Sequence, residues 1–173
     1  MDIENIPLDD KQAFDLMCGS NMDGLFQVES ALYVSVFSKM KPRSFADIVA
    51  SIALNRPGPL ESGMVDDYVK CRSNPNGVKY YDERLRPILE ETYGTLVYQE
   101  QIMQISMVMC GFSAGKADKL RKAMGKKLID VMRQLKEDWN NGAVENGYSL
   151  DVAKQIWDDT EKFAKYAFNK SHS

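Results

Sequence analysis

The cationic residues best suited to bind an anion lie close together, between Lys116 and Lys127. In a chain of 173 residues with a formal net charge of −3, this stretch contains one acidic residue, Asp118. Its cations are Lys116, Lys119, Arg121, Lys122, Lys126 and Lys127. Positive charge concentrated on an acidic protein indicates a local anionic partner rather than a general affinity for polyanions.

Helical spacing divides this basic stretch into two faces, at about 100° per residue. The apolar face holds Ala117, Leu120 and Met124, and the opposite face holds Lys119, Lys122 and Lys126. Arg121 lies at the border, where packing can direct its planar guanidinium towards a phosphate, while the lysines add point charges. The plainer alternative is a solvated helix face on which Asp118 and Lys122 pair at i, i+4.

Length and composition indicate an ordinary globular protein with room for a sizeable core. Apolar residues make up 44% and charged residues 27% of the chain, as is typical of soluble domains. Three cysteines without CxxC spacing and a single histidine argue against a zinc site and fit reduced thiols in the cytoplasm. The chain has no apolar run of membrane-spanning length, and its acidic N-terminus is unlike a signal peptide.

The hydrophobic periodicity predicts a mainly α, compact multi-helix domain with at most a short β element. The first predicted helix ends at Met17, a helical piece starts at Leu60, and another helix follows Ser113. The other predicted helices cover Ala31–Met40, Phe45–Leu54, Asp82–Thr92, Tyr98–Cys110, Leu128–Trp139 and Leu150–Phe168. Residues 1–20 form a lead-in, 73–77 a flexible loop, 93–97 an extended segment and 113–127 a basic, phosphate-facing helix. Asn140–Gly142 and Glu145–Gly147 are predicted breaks, and Pro87 is expected to break or kink its helix.

The carboxylates of this sequence do not suggest a catalytic metal site. Asp66–Asp67, Glu90–Glu91 and Asp158–Asp159 are adjacent pairs, and adjacent residues diverge on a helix instead of converging on one ion. The sequence also lacks a Walker loop, a GxSxG motif and a glycine-rich phosphate loop. We therefore expect neither a self-sufficient active site nor a metal site within this chain.

A second unusual feature is the rigid, doubly proline-framed turn Arg56–Pro59. Its alternative interpretations are a shape required by a ligand and a helix–helix corner in which Arg56 caps carbonyl groups. The turn also opens the first of four blocks whose order and spacing are distinctive. The blocks are Arg56–Asp67, Tyr93–Gln104, Leu120–Lys127 and Phe168–Ser173, with a weaker fifth at Gly24–Ser30.

Together these blocks resemble the fingers region of the alpha subunit of bacterial replicative DNA polymerase III, a C-family polymerase. The resemblance spans nearly the whole chain. It implies a fingers domain that closes over the incoming deoxynucleoside triphosphate (dNTP) and the template–primer DNA during bacterial replication. The catalytic aspartates of the palm, which hold two Mg²⁺ ions in this family, would precede this chain, so the chain alone is expected to be inactive. The other polymerase domains and replisome proteins are the implied partners.

The C-terminal residues Phe163–Ser173 agree with this expectation, because they end without a helix terminator and indicate a piece of a longer protein. The sequence also departs from the family pattern. Lys122 stands where a second arginine is usual, which removes a bidentate fork. Leu128 replaces a lysine, Lys165 and Ala167 replace glycines, and residues 31–33 replace a Gly-Met pair, which together indicate a divergent member, such as an accessory or mobile-element polymerase.

The charge pattern and the resemblance assign the candidate site residues. The nucleotide-binding candidates are Arg121, Lys122, Asn169, Lys170 and His172. The DNA-binding candidates are Lys116, Lys119, Lys126 and Lys127. Arg56 is either structural or close to the nucleotide. Asn169 and His172, at i, i+3 on a continuing helix, would meet the sugar or base. The roles of Tyr98, Gln99 and Glu100 stay unassigned.

Two rival functions stay open at this point. One is a helical nucleic-acid-binding module without a link to catalysis, which would bind duplex DNA independently of nucleotide. The other is a helical protein-interaction domain, which would expose the apolar face of Tyr98–Cys110. Exposure of Met103 and Met107 would support the second alternative, whereas burial in the core would argue for packing.

Overall fold

The computed structural model describes residues 3–19, 22–126, 128–163 and 168–173. Within these ranges the regular structure consists of ten α-helices and short 3₁₀ turns, with no strand. The helices are α1 (Lys11–Cys18), α2 (Ala31–Met40), α3 (Phe45–Leu54), α4 (Pro57–Glu61), α5 (Met64–Ser73), α6 (Arg86–Leu89), α7 (Gln99–Cys110), α8 (Ala114–Lys126), α9 (Ile129–Glu145) and α10 (Leu150–Phe163). An isolated parallel bridge joins Tyr98 to Phe168. The predicted mainly α fold with at most a short β element is confirmed.

The chain divides into two compact units, of which the first comprises Met1–Val69 and Ser173. In this unit α1 contacts α2, and α2 contacts α3. Asp10 caps α1 by accepting hydrogen bonds from two backbone N–H groups of its first turn. Ser44 and Asp47 form a reciprocal capping box at the start of α3. The buried apolar residues of the first unit include Phe14, Met22, Val36, Phe37, Met40, Ala50, Ala53, Leu54 and Val65.

The second unit, Lys70–His172, is organised around α7. Helix α7 contacts both α8 and α9, and α9 also contacts α10. Trp139 on α9 and Trp157 on α10 are completely buried, with ring centroids 5.6 Å apart at 70°. The Trp139 indole Nε1 donates to the Ala153 carbonyl at 2.9 Å. This edge-to-face pair with a satisfied N–H fixes α9 against α10.

Helix α9 crosses Asn140–Gly142 without interruption, so the predicted break there is wrong. Gly142 is needed for close packing: a Cβ atom at this position would lie 2.2 Å from the Cys110 carbonyl oxygen of α7. The glycine therefore marks a close approach between two helices, and the helix ends only at Glu145. Gly147, with φ of +75°, follows that end.

Three other predicted helices differ from the structure, two of them at prolines. The predicted helix over Asp82–Thr92 is divided into a 3₁₀ turn, the four-residue α6 and a second 3₁₀ turn, with Pro87 in the first turn of α6. Pro57 and Pro59 begin α4, since the first turn of a helix does not require their missing N–H groups. The described part of helix α10 covers Leu150–Phe163, and the predicted helical residues 164–167 lie outside the described ranges. Phe168 forms the isolated bridge with Tyr98 instead of belonging to a helix.

Among the described residues, no helix is both long and apolar enough to cross a lipid bilayer. Within the same residues, no group of three or more His, Cys, Asp or Glu side chains could hold a metal ion.

Candidate functional site

The first turn of α7 is fixed by the buried side chain of Gln101. Its Oε1 accepts hydrogen bonds from the backbone N–H groups of Val97 and Tyr98, at 2.9 and 3.0 Å. Its Nε2 donates to Thr92 Oγ1 at 2.8 Å and to the Ile88 carbonyl at 3.2 Å. All four hydrogen-bonding positions of a buried amide are therefore occupied, so this side chain anchors the helix start firmly.

The turn before this helix start has a tightly defined backbone. Tyr93 and Gly94 both have positive φ values, 52° and 80°. A Cβ on Gly94 would also lie 3.0 Å from Val78 Cγ1. Thr92 Oγ1 closes the turn by donating to the Thr95 carbonyl at 2.6 Å. The block Tyr93–Gln104 therefore presents the beginning of α7 in one orientation.

On α8, Asp118 holds the two leading cationic candidates. Arg121 donates to Asp118 Oδ1 from Nε at 3.0 Å and from Nη2 at 2.7 Å. Lys122 Nζ lies 2.6 Å from the other carboxylate oxygen. The hydrogen bond from Lys122 lowers the pKa of the Asp118 carboxyl most, and the hydrogen bonds from Arg121 lower it further. The i, i+4 pair of Asp118 and Lys122, which a solvated helix face predicts, is thus present. The Lys122 side chain is still 60% exposed.

Arg121 also reaches the first turn of α7. Its Nη1 donates to Gln99 Oε1 at 3.4 Å. The guanidinium is therefore held by a carboxylate of its own helix and by an amide of the neighbouring helix. Its side chain is 33% exposed, so it lies at the surface with its direction fixed by packing.

The C-terminal segment reaches the same turn of α7 from another direction. The Gln99 N–H donates to the Phe168 carbonyl at 2.8 Å, and the Lys170 N–H donates to Glu100 Oε2 at 3.1 Å. Lys170 Nζ contacts both oxygens of Glu91, at 2.9 and 2.7 Å, and lies 5.3 Å from the Tyr98 ring centroid. Arg121 and Lys170 consequently contact two adjacent residues, Gln99 and Glu100, at the beginning of α7.

The two remaining nucleotide-binding candidates lie in the same segment but contact different neighbours. The predicted helix does not continue there, and a 3₁₀ turn covers Lys170–His172. The Asn169 side chain accepts hydrogen bonds from the backbone N–H and the hydroxyl of Ser171. The exposed His172 ring lies 5.6 Å from the Phe168 ring. The His172 backbone N–H donates to the Asn169 carbonyl, so these two residues contact each other through the backbone.

The DNA-binding candidates divide according to their partners. Lys116 Nζ pairs with Asp138 at 2.8 Å and lies 4.3 Å from the Phe112 ring centroid. Lys119 and Lys126 are exposed and form no ion pair with any described residue. Lys127 lies outside the described residues, as do the family departures at positions 165 and 167.

Arg56 forms the contact expected of a helix corner. Its Nε donates to the Ala53 carbonyl in the last turn of α3 at 2.9 Å. Burial lowers the pKa of its guanidinium, an effect that Tyr33 opposes. The turn after α3 is thus closed by an arginine cap and two prolines, as the helix-corner interpretation predicts.

Residues that anchor the cations were missed by the sequence interpretation. These are Gln99, Glu100 and Glu91. The first two belong to a block that carried the family resemblance, but their contacts are with residues 22 and 70 positions away. Local spacing carries no signal of such contacts.

The apolar side of α7 is mostly packed. Ile102, Ile105 and Met109 are buried, while Met103 and Met107 are half-buried. The exposed apolar face that would have favoured a protein-interaction domain is therefore not found on this helix.

Comparison with known proteins identifies the family. The profile of the bacterial DNA polymerase III alpha subunit finger domain matches residues 1–147. DNA polymerase III subunit alpha of Aquifex aeolicus is 49% identical over 168 residues, which cover 97% of this chain and 14% of that protein. The Escherichia coli K12 and Helicobacter pylori 26695 proteins of the same name are each 44% identical, cover 100% of this chain and are covered to 15% and 14%.

The chain therefore belongs to the finger-domain family of bacterial DNA polymerase III alpha subunits. It spans 14–15% of the length of these relatives.

Proposed function

We propose that this chain is the fingers domain of a longer DNA-directed DNA polymerase and binds the triphosphate of the incoming dNTP during template-directed synthesis. The observation that carries the proposal is the approach of Arg121 and Lys170 to one turn of α7. Family membership supports the polymerase context, and the cationic side chains provide the chemistry. A triphosphate needs several fixed cationic donors, which a single helix face supplies poorly.

Nucleotidyl transfer requires stabilisation of charge that develops on the phosphates as pyrophosphate leaves. Mg²⁺ in the parent enzyme would polarise the reacting phosphate. The resemblance to the family implies that aspartates of the palm would hold this ion in the parent enzyme. Arg121 and Lys122 would bind phosphate oxygens and Lys170 would add a third cation. Asn169 and His172, on the exposed segment beside Lys170, would contact the sugar or base.

Carboxylates occupy several of the donors that phosphate would use. Asp118 accepts from Arg121 and Lys122, and Glu91 accepts from Lys170. A triphosphate carries more negative charge and more acceptor oxygens than either carboxylate, so it can replace or share these contacts. All three cationic side chains are at least 33% exposed, so solvent screening keeps the cost of this exchange small.

The template–primer DNA would contact the exposed lysines of α8. Lys119 and Lys126 are the best placed of the described residues, because neither is engaged by a described carboxylate. Lys116 can contribute after leaving Asp138, and Lys127 belongs to the same basic stretch. Such contacts supply affinity that depends on salt and carries no sequence information.

Arg121→Ala and Lys119→Ala, compared in the full-length polymerase, test this proposal. Losing a charge-assisted contact to a reacting phosphate costs about 3 kcal/mol, or about a hundredfold in kcat/KM for the dNTP. Losing the exposed Lys119 costs at most about 1 kcal/mol. Single-nucleotide incorporation kinetics should show the larger loss with unchanged primer–template affinity. Equal small losses would instead favour a DNA-backbone or purely solvated role for α8.

A further inference from the structure

We infer that Gln99 and Glu100 are positioning residues that hold Arg121 and Lys170 in a common register for the nucleotide triphosphate. This inference rests on the proposed function and assigns a role to two residues that carry no cationic charge. The two residues are adjacent in the first turn of α7, and each faces a different cationic candidate.

Gln99 restrains the guanidinium of Arg121 on the side that Asp118 does not reach. Asp118 accepts from Nε and Nη2, while Gln99 accepts from Nη1. These contacts use three of the five N–H donors of a guanidinium and leave two for a ligand. An arginine held from two helices loses little rotamer freedom when it binds phosphate, so less affinity is lost to ordering.

Glu100 restrains the backbone of the Lys170 segment. Its Oε2 accepts the Lys170 N–H at 3.1 Å, next to the hydrogen bond from the Gln99 N–H to the Phe168 carbonyl. A carboxylate in the first turn of a helix is also favoured by the helix dipole. These two hydrogen bonds fix where the Lys170 side chain leaves the backbone, beside Tyr98 and Glu91.

The two restraints share a single rigid base. Gln101, one residue further on, is buried and locks the start of α7 through Thr92 and the preceding backbone. Arg121 and Lys170 are therefore both positioned relative to the same turn. Misplacement of either cation by a fraction of an ångström would weaken a multidentate phosphate contact, as expected of any preorganised electrostatic site.

Gln99→Ala and Glu100→Ala in the full-length polymerase test the inference by double-mutant cycles. Each single variant should lower kcat/KM for the dNTP about fivefold to tenfold, the size expected for losing one hydrogen bond to a charged or positioned group. Gln99→Ala should add no loss to Arg121→Ala, and Glu100→Ala should add none to Lys170→Ala. Glu100→Gln, which keeps an acceptor oxygen, should recover most of the activity.

Gln104→Ala is the matched control, because Gln104 is an exposed residue on the same helix. It should leave kcat/KM and thermal stability unchanged. Gln99→Asn, whose shorter side chain keeps its amide, provides a second variant should Gln99→Ala lower the melting temperature.

The outcomes separate the two proposals. Full additivity in both cycles, or single variants equal to Gln104→Ala, would overturn the positioning role while a large Arg121→Ala loss would preserve the proposed function. If Arg121→Ala and Lys170→Ala themselves leave dNTP use unchanged, both proposals fail together.

Discussion

The close contact between α9 and α7 at Gly142 predicts that Gly142→Ala destabilises the protein. An added Cβ would lie 2.2 Å from the Cys110 carbonyl oxygen, 3.0 Å from its carbonyl carbon and 3.1 Å from its Cα. An ordinary contact begins at 3.4 Å, so α7 and α9 would have to separate by about 1 Å. The neighbouring atoms belong to backbone and cannot rotate away.

The expected magnitude follows from two opposing terms. Overpacking of this kind costs about 1–3 kcal/mol and more when only backbone can move, whereas alanine gains up to about 1 kcal/mol over glycine in a helix. We therefore expect a net loss of about 2 kcal/mol, or a melting temperature about 4–8 °C lower for a chain of this size. Thermal and urea unfolding followed by circular dichroism would measure it.

Gly115→Ala in α8 is the matched control, because no described atom beyond its chain neighbours and its own helix backbone lies within 4 Å of the added Cβ. Its stability should be unchanged or raised by up to about 1 kcal/mol. If Gly142→Ala proved as stable as this control, the reasoning from close helix approach would be refuted, and Gly142 would be a replaceable residue of α9.

Two further predictions concern charge. Replacing Lys126 and Lys127 by alanine should lower the slope of log K for DNA binding against log salt by about one to two units, whereas the exposed Lys154→Ala should leave it unchanged; an unaltered slope in the double variant would place these lysines away from DNA. Arg84 lowers the pKa of the Asp82 carboxyl to about 2, mainly through side-chain hydrogen bonds. Because this folded-state pKa is depressed, the pair stabilises the protein above about pH 4 and loses its effect as the pH falls towards 2. The parent should therefore lose at most about 1 kcal/mol of stability over this pH range, and Asp82→Asn should not show this loss. Identical acid-unfolding profiles of the two proteins would contradict this.

The sequence predicted the helical fold well where local rules decide the structure. Ser44 caps α3, and Pro42 lies just beyond the end of α2, as turn and capping chemistry require. It failed where tertiary packing decides. Glycine at position 142, after two asparagines, is typical of a helix break. In the structure it lies within a continuous helix, because the Cys110 backbone of α7 packs too closely for a larger residue. A single sequence gives no sign of a neighbour 32 positions away.

The candidate site shows the same division between local and distant information. The i, i+4 pair of Asp118 and Lys122 could be read from spacing, and the pair is present. The link from Gln99 to Arg121 spans 22 positions, and that from Glu91 to Lys170 spans 79. No periodicity encodes such distances, so the sequence could name the cations but not the groups that hold them.

These partners change how the basic stretch should be understood. From the sequence alone, residues 116–127 form a strongly positive segment that predicts a local anionic partner. In the folded chain, Asp118 accepts from two of its cations and Asp138 from a third, while Lys119 and Lys126 stay exposed. The basic stretch thus contains two kinds of cation. Lys119 and Lys126 are exposed and free to contact any nearby anion, whereas Lys116, Arg121 and Lys122 are held in defined directions by carboxylates. Fixed direction favours a ligand whose oxygens match it, because a diffuse polyanion gains nothing from geometry. This arrangement supports the proposal that Arg121 binds a compact phosphate group and that the exposed lysines contact the DNA backbone.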